Sequence, residues 1–196
     1  MNRKERDRQL RRSDILKAAE HIFALRGYHK ATIRAIARAA QYASGTVYLH
    51  FKDKEDLYFA LFEEKIRCLL SMLAEKIPKE GGEGNKLKAF VEQSLSFFEQ
   101  NQDFFRIYIS EGDILLSEVK ILKSSISQQF KSYTERLIKQ AQDQGVISRD
   151  FSSRQATEVF FAILKTVVVE WLKTGSGSLV NLSGIILRYF LNGTAK

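Results

Sequence analysis

Apolar residues recur at helical spacing along nearly the whole chain, and that spacing restricts the choice to an all-α fold. Ile15, Leu16, Ala19, Ile22 and Phe23 fall at i, i+1, i+4, i+7 and i+8, which is one face of an α-helix. Leu57, Leu61, Phe62, Ile66, Leu69, Leu70 and Leu73 continue such a stripe until Pro78, which cannot extend a helix. Further helices are expected at about 86–101, 103–115, 117–144, 153–174 and 178–192, bounded by Gly145 and by "TGSGS" at 174–178. The segment "IPKEGGEGN", 77–85, reads as the one clear linker. About nine helices result, and no strand-like alternation competes with them.

Charge is distributed very unevenly along these helices. Residues 1–54 hold 13 of the 31 Lys and Arg but only 5 of the 23 Asp and Glu, which leaves the remainder neutral with 18 of each. The whole excess of +8 therefore lies in the first quarter. Contacts with phosphates release condensed counterions, so a polyanion is the expected partner of that quarter; the plainer alternative is a solvated basic tail. With one cysteine, Cys68, and three histidines, neither an internal disulfide nor a zinc cluster can be assembled, and a reducing, cytoplasmic setting is expected. The basic N-terminus has no apolar run behind it and reads as neither a signal peptide nor an anchor. The longest apolar stretch, 159–172, is broken by Lys165 and Glu170 and falls short of the roughly 18 residues of a membrane span.

The basic quarter resolves into three short helices. Gly27 ends the first. The Thr32 hydroxyl can cap a second, whose inner stripe is Ile33, Ile36, Ala37 and Ala40. A third covers about 44–50, with Val47 and Phe51 facing inward four residues apart. The close spacing of the last two describes a helix-turn-helix, whose second member enters the major groove. In "ASGTVYLHFKDK", 43–54, the small residues Ala43, Ser44, Gly45 and Thr46 let the helix tip approach base edges, where hydroxyls and a methyl read the groove. Tyr48 and His50 suit phosphate oxygens, with Lys52 and Lys54 adding charge beside them.

Residues 15–61 resemble the DNA-binding region of TetR-family transcriptional repressors nearly end to end. The resemblance rests on Ala18-Ala19 and Phe23 with Gly27-Tyr28, Thr32-Ile33-Arg34 with Ile36-Ala37, Gly45-Thr46-Val47-Tyr48 with Phe51, and Lys54-Glu55-Asp56-Leu57. It implies an all-helical homodimer whose recognition helices enter two successive major grooves of a palindromic operator, with a C-terminal domain that binds an inducer. By position it puts Thr32 and Arg34 near the DNA backbone, Ser44 to Thr46 near base edges, and Tyr48, His50 and Lys54 on phosphates. The chain departs from the pattern at the tight turn, where the family usually has glycine and this sequence has Gln41. A non-glycine residue with positive φ costs on the order of 1 kcal/mol there. The usual Ser or Thr cap of the recognition helix is replaced by Ala43, so either Ser44 takes over or the helix start is ordered by DNA. Tyr42 stands where a smaller aliphatic residue is common and is expected to pack into the same small core.

The division expected is a helix-turn-helix domain over 1–54, a connecting helix over 54–77, and a ligand-binding and dimerisation domain within 55–196. The latter holds 12 of the 14 phenylalanines, including the pairs 97–98, 104–105 and 160–161. Adjacent aromatics on one helix face different directions, so such a helix is packed on both sides or lines a cavity. An apolar pocket with a few orienting polar groups would involve Phe97, Phe98, Phe105, Arg106, Tyr108, Glu111, Phe130, Tyr133 and Phe161, with Asp113 and Glu158 as further polar candidates. A small apolar or aromatic inducer fits such a lining, an acyl thioester or drug-like molecule among them. The last two helices carry more apolar face than one core needs, and Phe160, Ile163, Val167, Trp171, Ile185, Ile186 and Tyr189 are assigned to a dimer interface.

No catalytic signature is present. The sequence lacks H-E-x-x-H, G-x-S-x-G and P-loop motifs, and "GGEG" lies in the linker, so no catalytic residue, metal or cofactor is expected. The reading is a ligand-responsive repressor that binds its operator as a dimer and is released by a lipophilic inducer. The alternative is a small-molecule carrier or sequestering protein with a non-specific nucleic-acid-binding basic region; carriage accounts for the aromatics but by itself leaves the +8 quarter unexplained.

Overall fold

The structure, a computed structural model, describes residues 2–110, 124–175 and 177–194, and all side chains among them but those at 108–110 and 192–194. It contains α1 (Arg3–Lys30), α2 (Ile33–Ala39), α3 (Ser44–Tyr48), α4 (Lys54–Lys76), α5 (Glu83–Gln100), α6 (Gln102–Ser110), α7 (Ser125–Asp143), α8 (Ser153–Thr174), a 3-10 turn (Leu179–Leu182) and α9 (Ser183–Thr194). These are nine α-helices among the described residues, and no strand accompanies them. The parts of the expected helices that fall on 111–123 lie outside the described residues. The chain forms two compact units, Met1–Lys65 with Asp103–Ser124, and Ile66–Gln102 with Ser125–Lys196.

In the first unit, Ile15, Leu16, Ala19, Ile22 and Phe23 are all buried, as their spacing demands. Ile36 and Ala37 of α2, Val47 of α3, and Phe51, Leu57 and Leu61 are buried as well, with α1 packed on α2 and α2 on α3. Phe23, Tyr28 and Tyr58 pack as a ring trio with centroids 5.2–5.7 Å apart. Gly27 interrupts α1 with φ 70° and ψ 164°, a conformation that a side chain would strain, and turns the chain toward α2. The Thr32 hydroxyl accepts from the Ala35 amide at 3.1 Å and caps α2. The tight turn closes on Gln41 at φ 60°, the one non-glycine residue with positive φ among the described residues.

The second unit is arranged around α5, which packs against α7, α9 and the 3-10 turn, while α8 packs on α7 and α9. The loop between α7 and α8 is clasped by the buried Gln142, whose Nε2 donates to the carbonyls of Ser148 and Phe151 at 2.9 and 2.8 Å. Ser152 and Gln155 form a capping box at the start of α8, and Gly175 in the left-handed conformation ends it. Two boundaries differ from the sequence expectation. Residues 83–85 belong to α5 because Glu83 sits in the first turn, where its charge is favoured, and takes an ion pair from Lys86 at 2.9 Å. Residues 179–182 form a tighter 3-10 turn; just before it, the Ser178 hydroxyl donates to Glu99 at 3.0 Å and the Trp171 indole donates to the Gly177 carbonyl at 2.9 Å.

Among the described residues no helix is long and apolar enough to cross a membrane, and no group of His, Cys, Asp and Glu is placed to hold a metal ion.

Candidate nucleic-acid interface and ligand-binding bundle

The recognition helix α3 is only five residues long, and its orientation comes from Val47, fully buried, and Phe51 just beyond it. With those two turned inward, the opposite face is left to solvent. Gly45 is exposed, Ser44 and Thr46 are half-buried, Tyr48 is 56% exposed and Leu49 is 77% exposed. No atom comes within 4 Å of where a Cβ on Gly45 would lie, so glycine there keeps the outer surface slim rather than relieving a clash within the protein. Ala43 is the cap position and supplies no side-chain bond; Ser44 is the first helical residue and does not take over the cap. Tyr42 is half-buried and donates its hydroxyl to Asp14 of α1 at 3.0 Å, which ties the turn to the first helix. Desolvation and that carboxylate raise the phenol above its ordinary range.

Behind α3 the remaining basic residues divide by role. Lys54, expected beside phosphates, points its ammonium back into the protein. It donates to the carbonyls of Tyr28, His29 and Ala31 at 2.8, 3.2 and 3.1 Å and lies 4.3 Å from the Tyr28 ring centroid. Three donors meet three carbonyls, so this lysine closes the end of α1 and fixes the strap that leads to Thr32. Asp53 caps α4 by accepting from the Asp56 amide at 2.8 Å, and the Asp56 carboxylate accepts from the Lys52 amide at 3.0 Å. The side chains of Lys52, Thr32 and Arg34 are exposed. His50 is half-buried; desolvation, followed by Arg8, Arg12 and Arg11, lowers its pKa below the ordinary value.

In the second unit, three of the expected pocket residues come together. Phe90, fully buried on α5, lies 6.3 Å from Phe130, 6.2 Å from Tyr133 and 5.7 Å from Phe160, and Phe161 is 5.6 Å from Phe130. Burial raises the Tyr133 phenol. Tyr133 also borders an open depression of about 500 Å³ with Leu70, Ala74, Gln129, Ser132 and Arg136. Phe97 and Phe98 are buried neighbours on α5, with ring centroids 6.5 Å apart. Within this bundle the Ser94 hydroxyl is buried without a hydrogen-bond partner. Phe105 belongs to the first unit, 5.1 Å from Phe104, and Arg106 beside it is exposed. The Tyr108 side chain, Glu111 and Asp113 lie outside the described residues. Glu158 is exposed and pairs with Lys131, so it faces away from the rings.

The expected dimer set also divides. Phe160, Trp171 and Ile186 are buried inside the second unit, Phe160 against Phe90 and Phe190. Ile163 and Val167 are half-buried, whereas Ile185 and Tyr189 are 46% and 69% exposed, together with Val159.

Residues 15–61 match the model of the TetR family of bacterial regulatory proteins, and residues 62–193 match that of the YsiA-like protein C-terminal region. The chain belongs to the TetR family. It is accordingly a bacterial regulatory protein whose residues 15–61 are the family's N-terminal region, as its motifs led one to expect. It is 26% identical over 183 residues to the fatty acid metabolism regulator protein of Bacillus subtilis, covering 91% of this chain and 93% of that one. The crystal structure of the regulator FadR from Bacillus subtilis in complex with stearoyl-CoA superposes with a TM-score of 0.84 at 26% identity, over 92% of this chain and 98% of that chain. The fatty acid degradation regulator FadR from Bacillus halodurans gives 0.82 at 25% identity, over 92% and 94%.

Against the TetR-family pattern, the structure accommodates Gln41 by adopting the strained conformation itself, and Tyr42 is half-buried with its hydroxyl bonded to Asp14. Sequence reasoning missed two features of this surface. One is Leu49, for which a signal existed: it lies midway between the inward-facing Val47 and Phe51 and so on the opposite side of the turn. Lys4, Arg8 and Arg11 were read only as part of a basic N-terminus; they line a cleft of about 500 Å³ with Asp7, Leu49 and His50.

Proposed function

We propose that two copies of this TetR-family chain occupy a palindromic operator and leave it when a long-chain acyl-CoA thioester binds the second unit. The observation that supports the ligand is the match, along nearly the full length, to a regulator whose crystal structure holds stearoyl-CoA. The ring cluster around Phe90 agrees with it, because an acyl chain needs an apolar lining and each buried CH₂ contributes ~0.8 kcal/mol. In this reading residues 1–54 are the DNA-binding domain, 54–77 the connecting helix and 55–196 the domain that binds ligand and partner.

On the DNA side, Ser44, Gly45 and Thr46 read base edges from the tip of α3, while Tyr48, His50, Lys52, Thr32 and Arg34 hold the backbone. Pairing runs through the exposed apolar residues of α8 and α9, Val159, Ile185 and Tyr189, with Ile163 and Val167 beside them. The pair then presents two copies of α3 to half-sites about 34 Å apart. Acyl-CoA acts by favouring a conformer in which that spacing is lost, and its effect is bounded by its differential affinity for the two conformers. The regulator works in the cytoplasm, where DNA and acyl thioesters meet.

Selection from a pool of random duplexes tests the DNA half. An inverted repeat should be recovered, Thr46→Ala should relax the preference at one position of each half-site, and Tyr48→Phe should weaken that duplex and a scrambled one alike. Recovery of no common sequence would defeat the reading.

A further inference from the structure

The first turns of α1 are unusual for a helix of a packed domain. Residues 3–12 carry six Lys and Arg against two acidic residues, and their one apolar side chain, Leu10, is 64% exposed. A helix that is polar all round gains nothing from a core. These turns are held by a capping box, in which Asn2 accepts from the Glu5 amide at 2.9 Å and the Asn2 amide donates to Glu5 at 2.8 Å. Lys4, Arg8 and Arg11 fall at i, i+4 and i+7 and so share one face. Across that face stands the far end of the recognition helix, and the two together enclose the cleft of about 500 Å³ in which Leu49 and His50 are the opposing wall. Asp7 is the one carboxylate in the lining, against three cations, and no ion pair joins it to them among the described residues.

We infer that this cleft is a second DNA contact, which takes a backbone phosphate flanking the half-site, with Lys4, Arg8 and Arg11 as its cations and His50 as a donor from the recognition helix. The inference rests on the DNA-binding reading and goes beyond it, since it places α1 on the duplex as well as the helix-turn-helix. The position of the cleft selects duplex DNA over other anions: one of its walls is the end of α3, so whatever α3 lies against is brought to it. Three cations face the single carboxylate of Asp7 in the lining, and desolvation, then Arg8, Arg12 and Arg11, lowers the pKa of His50 beside them. Leu49 contributes apolar surface against a deoxyribose face.

Affinity for the duplex recovered by selection with the wild-type protein is to be measured across a salt series for wild type, Arg8→Gln with Arg11→Gln, and Arg8→Lys with Arg11→Lys. Both cations are exposed and glutamine is a good helix former, so the fold is retained and circular dichroism checks it. One phosphate per protomer corresponds to a fall of about 2 in the salt slope of the paired form, with affinity near 0.1 M salt lower by roughly ten- to a hundredfold. Cognate and scrambled duplexes should lose alike, the lysine pair should restore most of the binding, and duplexes trimmed next to the half-site should abolish the difference between wild type and the glutamine pair. An unchanged slope in the glutamine pair, with the wild type binding normally, overturns the inference alone. Wild-type protein that retains no duplex overturns it together with the reading beneath it. Replacing chloride with inorganic phosphate at matched ionic strength should not stabilise wild type over the glutamine pair; stabilisation would assign the cleft to a free anion and overturn its assignment to DNA.

Discussion

At the scale of single residues, the family pattern marked Gln41 as the place of either a strained backbone or a differently shaped turn, and the folded chain takes the strain. At φ 60° the residue carries a cost of order 1 kcal/mol, so Gln41→Gly is expected to raise stability by about 0.5–1 kcal/mol in urea unfolding. Lys54 was not legible: its place at the start of α4 suggested a cation for an anion, and only the folded chain brings three carbonyls from 23–26 residues earlier to its ammonium. Lys54→Met should therefore destabilise by about 1–3 kcal/mol through the lost cap, while the salt slope of DNA binding stays unchanged. His50 gives a pH dependence. Its pKa in the folded chain is below the ordinary 6.5, so beneath that value the unfolded chain holds a proton the folded one lacks. Stability is then constant above about 6.5 and falls as the pH drops through the window between the two values. His50→Gln should flatten that acid limb, as read from the urea midpoint against pH.

Elements were read from the sequence where a local rule closes them and misread where a tertiary contact does. Thr32 caps α2 because a hydroxyl three residues ahead of a free amide has one good partner; Thr32→Ala should cost about 1 kcal/mol. The uncapped start of α3 follows from Ala43, and Ala43→Ser should return a similar amount, detectable as a higher unfolding midpoint with α3 better protected from hydrogen exchange. By contrast, the 3-10 turn at Leu179–Leu182 sits between Ser178, bonded to Glu99, and the Trp171 indole's bond to Gly177, and those partners lie on other elements. The extension of α5 back to Glu83 likewise depends on Lys86 and on the distant Gln144 side chain, which accepts from the Glu83 amide at 3.4 Å.

For the whole molecule, the all-α class, the helix-turn-helix and the aromatic character of the second unit followed from periodicity, charge and composition. The division of aromatics into core and lining did not, because adjacent phenylalanines on a helix are indistinguishable until their neighbours are placed. Phe90 is the clearest case: it carried no signal, yet it touches three rings of the bundle, and Phe160, assigned to an interface, fills the space behind it. In the proposed reading the regulator's two functions are distributed over parts of the chain with different physics, a basic surface for DNA and an apolar bundle for an acyl chain. The direct test of that coupling is the fluorescence anisotropy of the labelled, selected operator bound to the purified protein and titrated with stearoyl-CoA, with free CoA alongside. Release by stearoyl-CoA and none by CoA at the same concentration is the predicted result; an operator held equally well with and without the thioester would contradict it.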